Sequence, residues 1–342
     1  MKNPSIVFTK INTAELIDKE PHAFGADSVR IKTVMTTVSP GTERANITGS
    51  PSVSGVKAPS VSFPRSAGYS MSGIVEAVGE NVTDLVPGDR VIGFWSKHMA
   101  YNVLPRERVV KISENVTDVV ASQIFIATFP MAAIRKCRLE VGEPALVMGL
   151  GVLGQYAVRI LRAAGAVPIV AVDPIPEKRA LALAGGADYA FDPFEEGFAD
   201  KVRAVTDGGA AVAIEVTGVG GGLNGALDCM RKHGRIALLG CTREQDFSID
   251  YYRKVHCPGI TMIGAHTNAR PEHESYPAYF THRDDIKAIL KLLASGRMSF
   301  DTLGSEVHSP ADCAAVYDRL INDKNFPPVV QFDWTMLDEK EV

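Results

Sequence analysis

Cysteine is scarce in this sequence and shows no pairing: Cys137, Cys229, Cys241, Cys257 and Cys313 are scattered, odd in number and without a C-x-x-C pair. That excludes a disulfide framework or a metal knuckle as the organising device, and a reducing cytoplasm fits such thiols. Nowhere do about 18 consecutive apolar residues occur, so no membrane span is expected. The start of the chain, Met1-Lys2-Asn3-Pro4 and onward, lacks the apolar stretch of a secretion signal. An excess of positive charge is missing too. Against 36 Lys and Arg stand 40 Asp and Glu, a net charge of −4, which leaves no bulk field to hold nucleic acid or anionic lipid. The sequence has no fixed-period repeat and no low-complexity segment. What remains is a globular composition, 46% hydrophobic and 22% charged over 342 residues, long enough for about two domains.

The first third reads as short β segments, from Val29 to Val38, Met71 to Val78, Arg90 to Gly93 and Ala100 to Leu104. They are cut by Ser39-Pro40-Gly41, Gly79-Glu80-Asn81 and Pro87-Gly88-Asp89. That spacing predicts a β-rich barrel or sandwich. From about residue 117 the pattern turns helical through Ser122 to Leu139. Strand-like and helix-like stretches then alternate from Ala145 to Ile263, which predicts a parallel sheet covered on both faces. The tail carries one helix from Asp284 to Ala294, a second from Pro310 to Asn322 with Ser309 as its cap, and a closing strand from Val329 to Phe332. Since the alternating domain is complete by about residue 266, the tail is expected to return to the first domain. The resulting division is 1–125 with 267–342, and 126–266. The Ser-rich run from Ser50 to Ser62 reads as a mobile loop.

Gly149-Leu150-Gly151-Val152-Leu153-Gly154 follows the apolar run Ala145 to Met148 and opens the helical pattern from Gln155 to Ala164. Each glycine has a mechanical reason: Gly149 for the tight turn, Gly151 for close backbone approach to a pyrophosphate, Gly154 for packing of helix on strand. The amino terminus of the helix then offers N–H groups and a favourable dipole to phosphates. A second apolar run, Pro168 to Val172, ends at Asp173, 19 residues after Gly154. A carboxylate there can accept both ribose hydroxyls of an adenosine and would repel a 2′-phosphate, which favours NAD over NADP. Lys178 and Arg179 follow closely and offer charge that a phosphate could use. The plainer role for Asp173 is a turn or capping carboxylate before Pro174.

With these motifs the chain resembles the medium-chain dehydrogenase/reductase family over nearly its whole length. Pro87-Gly88-Asp89-Arg90-Val91 is similar to the family's barrel turn. Glu215-Val216-Thr217-Gly218 and Gly234-Arg235-Ile236-Ala237-Leu238-Leu239-Gly240 are similar to its later cofactor-domain strands. The resemblance implies an α/β protein: a GroES-like β-rich catalytic domain built from both chain ends, with a Rossmann doubly wound domain inserted between them. It also implies that Thr128, Thr217, Gly218, Ala265 and His266 border the dinucleotide, that Trp95 walls the substrate pocket, and that a homodimer forms through an exposed strand near Thr261 to His266.

The departures from that pattern concern zinc. Where zinc-dependent members carry Cys-Gly-Ser/Thr-Asp, this chain has Pro40-Gly41-Thr42-Glu43, and their Gly-His-Glu turn becomes Gly68-Tyr69-Ser70. The third ligand position falls near Ile124, and the structural zinc lobe is replaced by Trp95-Ser96-Lys97-His98. Zinc needs thiolate, imidazole or carboxylate ligands in sets of three or four, so no metal is expected.

Without a Lewis acid, a hydroxyl or imidazole must stabilise the substrate oxygen and move its proton. Tyr69, Thr42 and His98 are the catalytic candidates, with a packed aromatic whose phenol meets a backbone carbonyl as the alternative for Tyr69 and a structural or surface imidazole as that for His98. Glu43 and Arg44 are candidates near the substrate pocket, either as a mutual ion pair or with Arg44 gripping an anionic group. The expectation is a zinc-independent, NAD-dependent oxidoreductase that interconverts a secondary alcohol and a ketone on a sugar, polyol or cyclitol-like small molecule. A quinone or enoyl reductase and a catalytically silent dinucleotide-binding redox sensor are the alternatives.

Overall fold

The computed structural model describes residues 2–20, 22–50, 62–242 and 248–337; nearly all of the Ser50-to-Ser62 run lies outside them. Contacts divide these residues into two units, 127–303 in one and the flanking segments up to 126 and from 304 in the other.

The flanking unit is built on a sheet whose strands run in the order Glu306–His308, Val330–Asp333, Ser28–Thr37, Ser70–Val78, Arg90–Phe94 and Val109–Lys111, with Tyr101–Pro105 also paired to Ser28–Thr37. Its pairs are antiparallel except Glu306–His308 with Val330–Asp333. Alternation shows in Ser28–Thr37: Val29 and Ile31 are buried while Lys32 is exposed. A smaller sheet joins Thr13–Asp18, Pro4–Lys10 and Arg65–Ser66. Ser39-Pro40-Gly41, expected as a turn, instead starts the helix Pro40–Ile47. Proline suits the first helical position because its φ is preset and the N–H it lacks would have no intrahelical partner there.

The other unit holds a parallel sheet in the order Tyr189–Phe191, Ile169–Val172, Ala145–Met148, Ala210–Glu215, Met230–Leu238, Thr261–Gly264. Ala145–Met148, Ile169–Val172 and Ala210–Glu215 are buried at every position, as strands covered on both faces must be. Chain order reverses between Ala145–Met148 and Ala210–Glu215, and the carboxyl ends of strands flanking such a switch form the ligand crevice of doubly wound folds.

Residues 267–303 group with this second unit, whereas the sequence reading assigned them to the first. Asp285 draws ion pairs from Arg135 at 2.8 Å and Arg270 at 3.1 Å. The Thr128 hydroxyl meets His282 Nδ1 at 3.0 Å, and the rings of Tyr156 and Phe300 lie 4.9 Å apart. Periodicity finds the helix His282–Ala294, but these partners are distant in sequence and leave no local signal.

Candidate active site

In the parallel-sheet unit, the glycine turn has the geometry that its residue types require. Gly149 sits at φ +97°, where L side chains are strained, and a Cβ on Gly154 would stand 1.9 Å from the Gly149 carbonyl oxygen. Gly151 has open space beside it, with nothing within 4 Å. The helix Val152–Ala164 begins at Gly151 without a capping side chain, so the N–H groups of its first turn, including Val152, Leu153 and Gly154, have no intrahelical acceptor.

Asp173 is buried beside this turn. One carboxylate oxygen accepts the Leu150 N–H at 2.8 Å and the other the Ile175 N–H at 2.9 Å. Arg179 donates to the Asp173 carbonyl at 2.7 Å and lies 3.5 Å from Asp192, so its charge is already engaged. Across the switch point Glu215, the last residue of its strand, accepts the N–H of Thr217 at 2.7 Å and of Gly218 at 3.2 Å, and also the Thr217 hydroxyl. Burial raises its pKa, partly offset by those hydrogen bonds. A carboxylate ending the wholly apolar run Ala-Ala-Val-Ala-Ile was the available signal for this anchor. A Cβ on Gly149 would stand 2.9 Å from the Thr217 side chain, so the turn and Thr217 pack side by side at the carboxyl ends of their strands. These groups suit a dinucleotide: amides for a pyrophosphate, an acid for a ribose.

Ala265 is buried just past the edge strand Thr261–Gly264, and His266 is exposed, its Nδ1 accepting the Asn268 N–H at 3.2 Å. Lys136 fixes this segment by donating to the carbonyls of Gly264, at 3.1 Å, and Ala269. Arg270 donates to the Thr128 carbonyl at 2.8 Å. Thr128 itself is fully buried and its hydroxyl is committed to His282.

In the flanking unit Tyr69 stands in an aromatic group, its ring 5.8 Å from Trp95 and 5.8 Å from Phe125. Trp95 is held at φ +56°, a strained conformation for a side chain of this size. The Tyr69 hydroxyl donates to Ser39 Oγ and also meets the Thr42 hydroxyl, which is exposed. Burial pushes the phenol well above its ordinary pKa, and the nearby Glu43 adds to that direction. It therefore stays protonated across the neutral range.

Three candidates take positions that differ from the sequence reading. His98 is fully buried, with Nε2 3.2 Å from Glu43 Oε2 and Nδ1 without a partner among the described residues. Its ring is enclosed by Phe332 at 5.5 Å and by the backbone at Gly68, where a Cβ would come within 2.6 Å. A substrate has no direct access to such an imidazole. Glu43 is equally buried and pairs with His98, not Arg44; it also accepts the Ser39 N–H at 2.8 Å and the Tyr317 hydroxyl. Arg44 points to the end of the helix Cys313–Asn322, donating to the Leu320 carbonyl at 2.7 Å. Orphan carbonyls and the negative end of the dipole at a helix terminus favour that placement over an ion pair. The partners Ser39, Phe125 and Tyr317 went unnoticed in the sequence, where nothing local marks them.

At the positions that the family resemblance aligns with zinc ligands, Pro40 offers no donor, Tyr69 is committed to hydroxyl partners, and Ile124 is buried and apolar. This set does not fit a zinc ion.

Comparison with known proteins adds two family models: the alcohol dehydrogenase GroES-like domain matches residues 25–169 and the zinc-binding dehydrogenase model matches 152–305. A curated relative, D-guloside 3-dehydrogenase of Escherichia coli K12, is 25% identical over 258 residues, covering 75% of this chain and 73% of its own. A solved structure described as a short chain alcohol dehydrogenase of E. coli CFT073, complexed with NADH, has a TM-score of 0.82 at 18% identity, covering 97% of this chain and 99% of its own. A zinc-binding dehydrogenase of Sinorhizobium meliloti 1021, bound to NADP, has a TM-score of 0.78 at 19% identity, with the same coverage of 97% and 99%. Fold and matches together define an oxidoreductase acting on alcohol groups. The chain belongs to the medium-chain dehydrogenase/reductase family.

Proposed function

We propose that this protein is a zinc-independent, NAD-dependent dehydrogenase interconverting a secondary alcohol and a ketone on a sugar, polyol or cyclitol-like substrate. The observation that carries the reading is the half-buried Tyr69 phenol, joined to Ser39 and Thr42. A neutral phenol donates a hydrogen bond to a carbonyl oxygen and stabilises the alkoxide character that develops there. Thr42 is exposed and links Tyr69 to solvent: on alcohol oxidation the substrate's proton passes to the Tyr69 oxygen as the phenol turns its own proton from Ser39 to the Thr42 hydroxyl, which releases one to water, so no free tyrosinate forms. Trp95 and Phe125 give the phenol a fixed orientation through ring packing. Glu43 holds Ser39 by its N–H, which supports a positioning role for Glu43, with His98 and Tyr317 behind it.

When bound, NAD supplies the hydride acceptor. The first-turn amides from Gly151 to Gly154 would hold its pyrophosphate and Asp173 its adenosine ribose. Asp173 would meet the 2′-phosphate of NADP with like charge, which supports NAD as the preferred form. The relative that acts on a guloside supports a polyhydroxylated substrate. The free thiols, three of them buried, fit a cytoplasmic setting. The edge strand Thr261–Gly264 has one side without a strand partner among the described residues, which supports a homodimer through strand pairing.

The test is oxidation of a panel of glycosides, polyols and cyclitols, followed by NADH absorbance, with NADP⁺ in parallel and metal analysis of the purified protein. Activity on one class with NAD⁺ and no stoichiometric zinc is expected. Tight NADH binding without turnover of any substrate, or turnover abolished by chelation and restored by zinc, would overturn the proposal.

A further inference from the structure

A groove of about 790 Å³ lies in the parallel-sheet unit where three helices end, Ile124–Lys136, Val152–Ala164 and His282–Ala294. Helix carboxyl ends lie at the opposite edge of the sheet from the glycine turn, so this groove is not part of the dinucleotide crevice. Its floor is apolar, with Ile134, Leu139, Ile160 and Leu292 among the lining residues, and its volume is in the range of small-molecule sites. The charged residues that line it are Arg135, Arg138, Lys291 and Arg297; no carboxylate is among them. Arg135 is neutralised by Asp285. Arg138, Lys291 and Arg297 are exposed, and among the described residues none of their side chains has an ion pair or hydrogen bond.

Helix carboxyl ends attract cations, and that accounts for some positive charge here. It does not account for an arginine with the backbone conformation of Arg138. This residue sits at φ +49° after the end of its helix, a left-handed position that glycine fills without strain. Arg235 holds it there by donating to its carbonyl at 3.1 Å. The Arg138 side chain thus brings an exposed positive charge with no acid partner among the described residues to the rim of an apolar groove.

We propose that this groove binds a small amphipathic anion, an acyl chain ending in a carboxylate, with the chain on the apolar floor and the head group among Arg138, Lys291 and Arg297. Dodecanoate, below its micellar concentration, is the probe. Calorimetry on the NADH-loaded protein should register saturable binding of one dodecanoate per chain, and dodecyltrimethylammonium, with the same chain and opposite charge, should not bind. The Arg138→Gly/Lys291→Gln double variant, which relieves backbone strain, should weaken dodecanoate at least tenfold and leave NADH affinity unchanged. Ala163→Trp, at the floor, should abolish dodecanoate binding, again with NADH affinity unchanged. Four results would each overturn the proposal: no binding, equal binding of the cationic amphiphile, undiminished binding to the double variant, or capture only by phosphatidylglycerol vesicles. A halved molecular mass for Ala163→Trp in light scattering would do so too, by showing that a second copy of the chain covers the groove.

Discussion

The Asp173 carboxylate accepts the main-chain N–H of Leu150, inside the glycine turn, at 2.8 Å. The residue proposed to bind ribose thus also shapes the turn proposed to bind pyrophosphate, through one side chain. Asp173→Ala would leave the buried N–H groups of Leu150 and Ile175 unpaired, a cost of about 1–3 kcal/mol for each such group, besides removing the diol anchor. NADH affinity measured by fluorescence should fall at least about tenfold, and Asp173→Asn, which restores one acceptor, should recover part of it. An unchanged affinity in Asp173→Ala would remove Asp173 from the cofactor site.

The second and third glycines of the turn separate folding from binding. A Cβ at position 154 would collide with the Gly149 carbonyl, whereas one at position 151 would meet nothing within 4 Å. Gly154→Ala should therefore lower the thermal midpoint by several degrees, as a cost of about 1–3 kcal/mol implies for a domain of this size. Gly151→Ala should keep its midpoint and lose dinucleotide affinity, because the added methyl stands where only a ligand would come. Calorimetric scans with and without NADH distinguish the two, and intact NADH binding by Gly151→Ala would show that the pyrophosphate does not approach there.

Tyr69→Phe removes the phenolic donor and keeps the ring against Trp95 and Phe125. Turnover should drop about 10²-fold or more, the usual scale for a positioned proton donor, with NADH affinity unaltered. Burial holds the phenol above its usual pKa, so the wild-type pH–rate profile should show no limb from tyrosine ionisation up to about pH 10. Retained turnover in Tyr69→Phe would transfer the donor role to Thr42.

Tyr317→Phe tests the support beneath that site. Tyr317, His98 and the Ser39 N–H together compensate the buried Glu43 carboxylate, and each lost donor exposes part of the cost of burying charge. Unfolding by urea should show a loss of about 1–3 kcal/mol. A change below about 0.5 kcal/mol would mean that Glu43 does not depend on this phenol.

The turn proposed to hold the cofactor was legible in the sequence because its information is local. The glycine spacing, the apolar run before it and Asp173 at the end of the next strand all lie within a short stretch, and each has a backbone reason that the structure displays. The proposed catalytic side was half legible. Tyr69 and Thr42 could be picked out from positions in a motif, but Ser39, which accepts the Tyr69 hydroxyl, looked like a turn residue before Pro40. His98 and Glu43 were visible as chemistry-bearing residues, but their burial depends on Tyr317 and Phe332, more than 200 positions away. The tail shows the same limit. Its helices follow from periodicity and caps, yet Asp285, which draws residues 267–303 to the second unit, binds Arg135 and Arg270 through side chains that no pattern connects.

His282 gives the protein an acid-sensitive element within that unit. Its imidazole is driven down to about 2 from an ordinary 6.5, first by burial and then by the Arg270 charge, so it is neutral in the native state. The Thr128 hydroxyl at 3.0 Å pairs with its Nδ1. In the unfolded chain the same group takes up a proton below 6.5, so the unfolded state binds more protons than the native state in that range. Stability is therefore complete above that value and declines as pH falls beneath it, by about 1.4 kcal/mol per unit. Between about pH 7 and pH 5 the wild type should lose about 2 kcal/mol through this group, measured by urea unfolding at each pH. His282→Asn offers Thr128 a partner that does not titrate, and its loss over the same interval should be smaller by most of that amount. Equal losses in both proteins would mean that His282 is solvated enough to titrate normally, and that the acid response comes from elsewhere.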